Sequence, residues 1–264
     1  MTFLLSTIDS PILEQITEEK LRKFFFDGRV ERKWSTVTFM GYYKSIKVFL
    51  DGCVKERFIT TNPILDVEVP KLEKRLPTKL TKQESQKILE HALNMPYPYK
   101  FLRYRNHAIF ATFIFSVLRK KELINLHYTD VDLENLSLFV RQGKGAKDRI
   151  IPISYTLAQS LKRYLEERKR LNKSCPQFFT SLNRNMGINE SGLKNLVNAM
   201  VHITGIKFTL HKLRHTFATL MLEGGCDIYA LSKMLGHNDI KTTTIYLFAT
   251  AEHLKLQMNK HPMN

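Results

Sequence analysis

Residues 209–246 place the tightest constraint on how this chain can fold. They read TLHKLRHTFATLMLEGGCDIYALSKMLGHNDIKTTTIY. Thr209 and Asp227 are residue types that cap helix N-termini, because their side-chain oxygens accept hydrogen bonds from the first free N–H groups. Glycines at 224–225 and at Gly236 are typical of helix ends. The stretch therefore predicts two short helices joined by a glycine turn.

The first of these helices carries His211 and Arg214, three residues apart. Residues at this spacing lie on one face of a helix, so both side chains can reach a single anion. His211 and His215 also have the spacing of half a zinc site, but HKLRH lacks an intervening glutamate and an obvious third ligand. We therefore expect an anion here and no metal.

The N-terminal part of the chain has helical periodicity over residues 16–65, which predicts a small all-helical domain of about four helices. Residues 42–47 mix tyrosines with lysines, which suits a DNA-facing helix or, equally, a core stripe beside a solvated face. The proline-flanked, basic segment VPKLEKRLPTKL follows and predicts an extended connection. We accordingly place one domain at residues 1–72, a linker at 73–78 and a second domain at 79–264.

The second domain mixes helices with a short β-hairpin. Residues 81–84 match a capping box, and residues 106–117 form a strongly apolar run typical of a buried helix. Short β-like runs at 137–140 and 149–153 flank glycines and predict a hairpin with Lys144 in its turn. Further helices are predicted over 156–171 and 191–201. The predicted fold class is mainly α with a small antiparallel β-sheet, in a two-domain architecture of a helical domain followed by an α+β domain.

The chain is strongly basic, and the excess charge is uneven. It has 41 Lys and Arg against 25 Asp and Glu, and residues 77–264 hold 28 against 14. Such a surplus is expected of a protein that binds a polyanion such as nucleic acid, although solubility or attraction to anionic lipid is the alternative. Three isolated cysteines indicate neither a disulfide framework nor a zinc cluster. Without a signal peptide or an apolar run of bilayer length, we expect a cytoplasmic protein with no membrane association.

Six residues form the candidate site: Arg119, Lys144, His211, Arg214, His237 and Tyr246. They include no carboxylate pair, which argues against two-metal nuclease chemistry, and we expect neither a metal nor another cofactor. Two guanidiniums can clamp a phosphodiester, a phenol can attack phosphorus, and a cation can protonate the leaving hydroxyl. Taken singly, each residue also has an ordinary role, such as a helix ion pair between Arg119 and Glu122.

The order of four sequence boxes resembles the tyrosine recombinase (phage integrase) family. The boxes are LRKKEL, QGKGAKDRIIPI, HKLRHTFAT and LGHNDIKTTTIY, and they are similar to that family's Arg, Lys, His-x-x-Arg and His…Tyr motifs. The resemblance covers residues of about 79–258. The N-terminal helical region is similar in size and position to the family's core-binding domain. The last box looks most like the Xer branch.

This resemblance implies a role for each candidate residue. Arg119 and Arg214 would bind the scissile phosphate, and the two histidines, His211 and His237, would help to position it. Lys144 would be the general acid. Tyr246 would be the nucleophile that forms a 3′-phosphotyrosine link.

The resemblance also implies an assembly. A site-specific recombinase of this kind acts on duplex DNA as a homo-tetramer, or with a paired recombinase, and exchanges strands through a Holliday junction. Glu122 would orient Arg119, and residues 248–258 would pass to a neighbouring protomer. No metal or nucleotide cofactor is implied.

Two departures and two alternatives accompany the resemblance. Val117 stands where the family usually has a glycine before Leu-Arg, which would shift the turn that leads into Arg119. Lys147 and Arg149 flank Lys144 as other possible acids, and we assign Lys144 because it lies between the two glycines. A monomeric type IB topoisomerase-like enzyme and a DNA-binding accessory protein without activity are the alternative functions. The apolar tail at residues 248–258 favours the recombinase over the topoisomerase-like enzyme. The complete set of six residues argues against the inactive accessory protein.

Overall fold

The structure, a computed structural model, describes residues 12–71, 78–141, 148–236 and 243–244. The chain divides into two compact units, Met1–Arg75 and Leu76–Asn264. Within the described residues, no helix is both long enough and apolar enough to cross a bilayer. The predicted linker, residues 73–78, lies outside the described residues except for residue 78.

Over residues 12–71, the N-terminal unit contains a 3-10 helix, Leu13–Gln15, and two α-helices, α1 (Glu18–Val30) and α2 (Thr36–Lys55). The prediction of about four helices over residues 16–65 was therefore wrong. Residues after α2 form turns instead, because the Asn62 side chain accepts from the backbone N–H of Ile64 and donates to Asp51. These local hydrogen bonds compete with helix formation, and Pro63 supplies no N–H to continue one.

Aromatic residues hold α1 against α2. The ring of Trp34 stacks on Tyr42, with centroids 4.5 Å apart, and meets Phe24 edge-on at 5.2 Å. Gly28 makes room for the indole, since a Cβ at that position would lie 2.2 Å from the Trp34 ring. Tyr42 and Tyr43 are half-buried against this core. The contacts favour the core-stripe interpretation of the two tyrosines.

The second unit is built from seven α-helices and one sheet within its described residues. The helices are α3 (Lys82–Asn94), α4 (Lys100–Phe115), α5 (Lys120–Ile124), α6 (Tyr155–Arg170), α7 (Glu190–Thr204), α8 (Leu210–Glu223) and α9 (Ile228–Leu235). The predicted buried helix is α4, which packs on α3, α6 and α8 and is buried around most of its circumference. This central position brings the elements that flank it, including the start of α5, close to α8.

The sheet has three antiparallel strands in the order β1 (Val131–Asp132), β2 (Ser137–Val140) and β3 (Arg149–Pro152). In the β2–β3 ladder Leu138 is opposite Ile151, and Val140 is opposite Arg149. The two strands of the predicted hairpin are thus observed, whereas its turn, with Lys144, lies outside the described residues. The predicted fold class, mainly α with a small antiparallel sheet, is confirmed.

Helix α8 and helix α9 begin and end at the predicted residues. The Thr209 side chain accepts from the backbone N–H of Lys212 at 3.1 Å, and Asp227 accepts from that of Ala230 at 2.8 Å. Gly224 is the C-cap residue of α8. Gly236 follows α9 in the left-handed region, with φ 63°, where glycine is favoured because it carries no Cβ.

Candidate active site

Arg119 lies where the chain leaves α4 and enters α5. Its backbone N–H donates to Glu122 Oε2 at 2.8 Å, and its Nη1 donates to Glu122 Oε1 at 2.7 Å. Its Nη2 donates to the carbonyl of Leu235 at 3.0 Å. The side chain keeps 25% of its surface exposed. Arg119 is therefore held from two sides and still open to solvent.

Arg214 approaches the same place from the first turns of α8. The residue is buried, with 5% of its surface exposed. Its Nη2 donates to the Leu235 carbonyl at 2.7 Å, and its Nη1 donates to the carbonyl of Val117. The two arginines predicted to bind one phosphate, Arg119 and Arg214, thus share an acceptor.

Val117 is compatible with the backbone conformation of the turn before Arg119. Its side chain is fully buried in the core. Val117 is not among the described non-glycine residues with a positive φ, so its φ is negative. The backbone here does not need a glycine. The valine carbonyl also anchors Arg214, so this departure from the family pattern is accommodated.

A third arginine, Arg149, joins the cluster from β3. It forms a bidentate ion pair with Glu122, Nη1 to Oε1 at 2.9 Å and Nη2 to Oε2 at 2.8 Å. Its Nε donates to the carbonyl of Met234 at 3.1 Å. The side chain is 11% exposed. Sequence reasoning considered Arg149 only as a possible acid, although it lies two residues before buried Ile151 and hence on the inward face of the strand.

The C-terminal end of α9 is the point on which the three guanidiniums converge. The last carbonyls of a helix have no N–H partner within it and carry the negative end of the helix dipole. Here those of Met234 and Leu235 accept from Arg149, Arg119 and Arg214. The cluster therefore concentrates positive charge at the C-terminal end of α9.

Glu122 is the carboxylate inside this cluster. Burial raises its pKa, but hydrogen bonds from Arg149 and from the Arg119 backbone, together with the nearby positive charge, outweigh burial and lower the pKa to about 2. Glu122 is thus ionised at neutral pH. One carboxylate against three guanidiniums leaves the cluster net positive, and an incoming phosphodiester oxyanion would offset part of that charge.

Two histidines of α8 lie next to Arg214. The rings of His211 and His215 meet edge-on, with centroids 4.2 Å apart. Burial, then the charge of Arg214, lowers the pKa of His211, and burial together with His211 and Arg214 lowers that of His215 to about 4. Both imidazoles are neutral at pH 7. Within the described residues, no group of three or more His, Cys, Asp or Glu is placed to hold a metal ion.

The structure brings three of the six predicted site residues together: Arg119, His211 and Arg214. Lys144, His237 and Tyr246 lie outside the described residues. Beside His211, a groove runs between α7 and the start of α8, and Lys120 and Lys194 line it. Glu190 also lines the groove and pairs with Lys120 at 2.7 Å, so Lys194 supplies the cationic charge beyond that ion pair.

Three arginines of this mainly helical fold meet at one helix end, and such a cluster of guanidiniums is suited to bind an oxyanion. The sequence matches the model of the phage integrase family over residues 78–253. The chain therefore belongs to the phage integrase family, the family of the tyrosine recombinases.

Individual relatives agree with this assignment. The chain is similar to tyrosine recombinase XerA of Pyrococcus horikoshii, with 39% identity over 193 residues, which are 72% of this chain and 64% of that protein. It thus spans less than two thirds of the length of this relative.

Two solved structures are also similar to the chain. One, a crystal structure of XerA recombinase, matches with a TM-score of 0.61 at 28% identity and covers 99% of this chain and 89% of that one. The other is XerH site-specific recombinase bound to palindromic difH substrate. It matches in fold, with a TM-score of 0.73 at 23% identity, and covers 94% of this chain and 73% of that one.

Proposed function

We propose that this protein is a site-specific recombinase that cleaves and rejoins duplex DNA without a metal ion, through a 3′-phosphotyrosine intermediate and a Holliday junction. Tyr246 is the nucleophile and Lys144 is the general acid. Arg119 and Arg214 bind the scissile phosphate, with His211 and His237 beside them. The protein works as a tetramer on DNA, or with a paired recombinase, and the predicted cytoplasmic location is part of the same proposal.

The observation that carries the proposal is the shared anchor of Arg119 and Arg214. Arg119 is the N-cap of α5 and Arg214 belongs to α8, yet both donate to the Leu235 carbonyl at 3.0 and 2.7 Å. Guanidiniums fixed in this way need little reorganisation when charge grows on the phosphoryl oxygens of a transition state. Membership of the phage integrase family supports DNA cleavage and rejoining as the reaction in which this pair of arginines acts.

The ionisation of the neighbouring groups fits this chemistry. His211 is neutral near pH 7, because burial and Arg214 lower its pKa, and a neutral imidazole can still donate one hydrogen bond to a phosphate oxygen. Arg149 is engaged with Glu122 and with the Met234 carbonyl. Its guanidinium therefore makes a poor general acid, which leaves Lys144 and Lys147 for that role, and we assign Lys144 because it lies between two glycines.

Duplex DNA is the partner that the charge distribution supports. Lys120 and Lys194 line the groove beside His211, and residues 77–264 contain twice as many basic as acidic residues. XerH, which shares the fold, was solved on its DNA substrate. A duplex across this groove would bring its phosphates to Arg119.

A suicide substrate tests the chemistry directly. The protein is incubated with a nicked duplex taken from recombination-site candidates in its own genome, and SDS-resistant adducts are mapped by mass spectrometry. We expect an adduct at Tyr246 that forms in the presence of EDTA. The Tyr246→Phe variant should bind the same DNA with unchanged affinity and form no adduct.

Two results would contradict the proposal. An adduct in Tyr246→Phe would move the nucleophile elsewhere, and loss of the adduct in EDTA would make the reaction metal-dependent. Relaxation of supercoiled plasmid by a monomer, without strand exchange between two sites, would favour the topoisomerase-like alternative. Salt-sensitive DNA binding without any adduct on any candidate site would favour the accessory protein.

A further inference from the structure

Arg149 occupies an unusual place for an arginine on a strand. It lies on the inward face of β3 and is 11% exposed, and both its terminal nitrogens bond to Glu122. A guanidinium and a carboxylate paired through two parallel hydrogen bonds have a fixed relative orientation. Arg149 therefore sets the plane of the Glu122 carboxylate, and Glu122 is the group that holds Arg119.

The other end of Arg149 contacts α9. Its Nε donates to the Met234 carbonyl at 3.1 Å, and its Cδ lies 3.2 Å from the position that a Cβ on Gly236 would take. Arg214 holds the neighbouring Leu235 carbonyl. Arg149 thus fixes the end of α9 through the Met234 carbonyl, which is next to the Leu235 carbonyl that Arg119 and Arg214 share.

We infer that Arg149 is a positioning residue of this site, which holds Glu122 and the end of α9 so that Arg119 presents its guanidinium to the scissile phosphate. The inference rests on the proposed function for its catalytic consequence. Nε, Nη1 and Nη2 of Arg149 each donate to a protein oxygen. Arg149 also links β3, the second strand of the hairpin, to the arginine cluster.

The loss of Arg149 has a specific structural consequence. Among the described residues, Glu122 would keep only Arg119 as a cationic partner, and the carboxylate would be free to turn toward it. Arg119 would then leave the Leu235 carbonyl, or bind it with altered geometry. A displacement of about 1 Å in a catalytic group costs up to roughly 10²-fold in rate.

Three variants test this role. Arg149→Met removes the fork and keeps much of the side-chain volume, and Arg149→Lys keeps the charge without the bidentate geometry. Arg141→Met is the matched control, because Arg141 lies at the foot of the same hairpin and pairs with buried Asp130 instead of with Glu122. Each variant is assayed for adduct formation on the suicide substrate and for affinity for that DNA.

We expect adduct formation by Arg149→Met to fall by roughly 10²-fold with unchanged DNA affinity. Arg149→Lys should recover part of the loss, and Arg141→Met should behave as the parent. Adding Arg149→Met to Glu122→Gln should cause little further loss, because residues that act through one network are not additive. Equal rates in Arg149→Met and Arg141→Met, or additive losses, would overturn the inference.

A measurement without DNA separates this inference from the proposed function. In spectra of ¹⁵N-arginine-labelled protein, the Arg119 side-chain resonance, assigned with Arg119→Lys, should shift in Arg149→Met and stay in place in Arg141→Met. An unshifted resonance would overturn the positioning role even if the parent protein cleaves DNA. If the Arg119 resonance shifts in Arg149→Met but the parent protein forms no adduct with DNA, the positioning role is supported and the recombinase function is rejected.

Discussion

His215 stays neutral well below the ordinary pKa of an imidazole. It packs its ring against His211, and burial, His211 and Arg214 together lower its pKa from 6.5 to about 4. Protonation would place a charge beside the Arg214 guanidinium in a half-buried position. The histidine pair that suggested half a zinc site in the sequence is thus an electrostatic feature of the arginine cluster.

This ionisation predicts how stability depends on pH. The folded state binds the proton of His215 less tightly than the unfolded state, so the contribution is fully present above pH 6.5 and is lost as pH falls toward 4. The full loss is about 3 kcal/mol, because each unit of pKa difference between the two states corresponds to about 1.4 kcal/mol. We expect His215→Gln to flatten the decline of unfolding free energy between pH 6.5 and 4, measured by urea denaturation.

The exposed His202 on α7 provides the control for this experiment. His202→Gln should leave the pH dependence of the parent unchanged. A decline in His215→Gln as steep as that of the parent would show that His215 titrates normally in the folded protein.

Gly236 ends α9 at the point where the arginines converge. Its φ of 63° is disfavoured for residues with a Cβ, and an added Cβ would lie 3.2 Å from the Cδ of Arg149. We expect Gly236→Ala to lower the free energy of unfolding by about 1–2 kcal/mol, the cost of a left-handed conformation. It should also reduce adduct formation more than DNA affinity, because the alanine pushes on Arg149.

Gly205 at the end of α7 gives a matched comparison. Its φ is 71°, and an added Cβ would have nothing within 4 Å. Gly205→Ala should therefore cost similar stability and leave adduct formation on the suicide substrate unchanged. Equal losses of cleavage in the two variants would mean that Gly236 matters only for stability.

Sequence reasoning located the elements whose ends are set by local chemistry. Thr209 and Asp227 cap their helices through hydrogen bonds that span three residues, so the signal is contained in the sequence itself. The turns after α2 were missed, because Asn62 bonds to Asp51, a residue 11 positions away. Strand β1 has two residues and therefore no alternation to detect.

The arrangement of the site was only partly predictable for the same reason. The boxes predicted that Arg119 and Arg214 act on one group, and the structure brings both to one carbonyl. No sequence pattern indicated that this carbonyl belongs to Leu235, because the contact joins α5, α8 and α9 in space. The inward position of Arg149 could have been found from its spacing to Ile151, although its partner could not.

The whole molecule carries its excess charge in the part that holds the arginine cluster. Residues 77–264 have 28 basic and 14 acidic residues, and the guanidiniums of Arg119 and Arg214 are fixed against protein oxygens in this part of the chain. Cations held in place lose little conformational freedom when they meet phosphates. We therefore expect DNA affinity to depend on many such contacts and on the release of counterions.

Salt dependence tests this expectation for the full chain. Affinity for a duplex should fall by roughly 10³–10⁵-fold between 50 and 200 mM salt if about 6–10 phosphates are contacted. Lys194→Ala, in the groove beside His211, should reduce the slope of log K against log salt by about 0.9, the value for one phosphate. Lys162→Ala is the control, because Lys162 lines a separate cavity with Arg168. A flat dependence of affinity on salt would show that the charge surplus does not drive DNA binding. An equal reduction of the slope in both variants would show that DNA does not bind specifically in the groove beside His211.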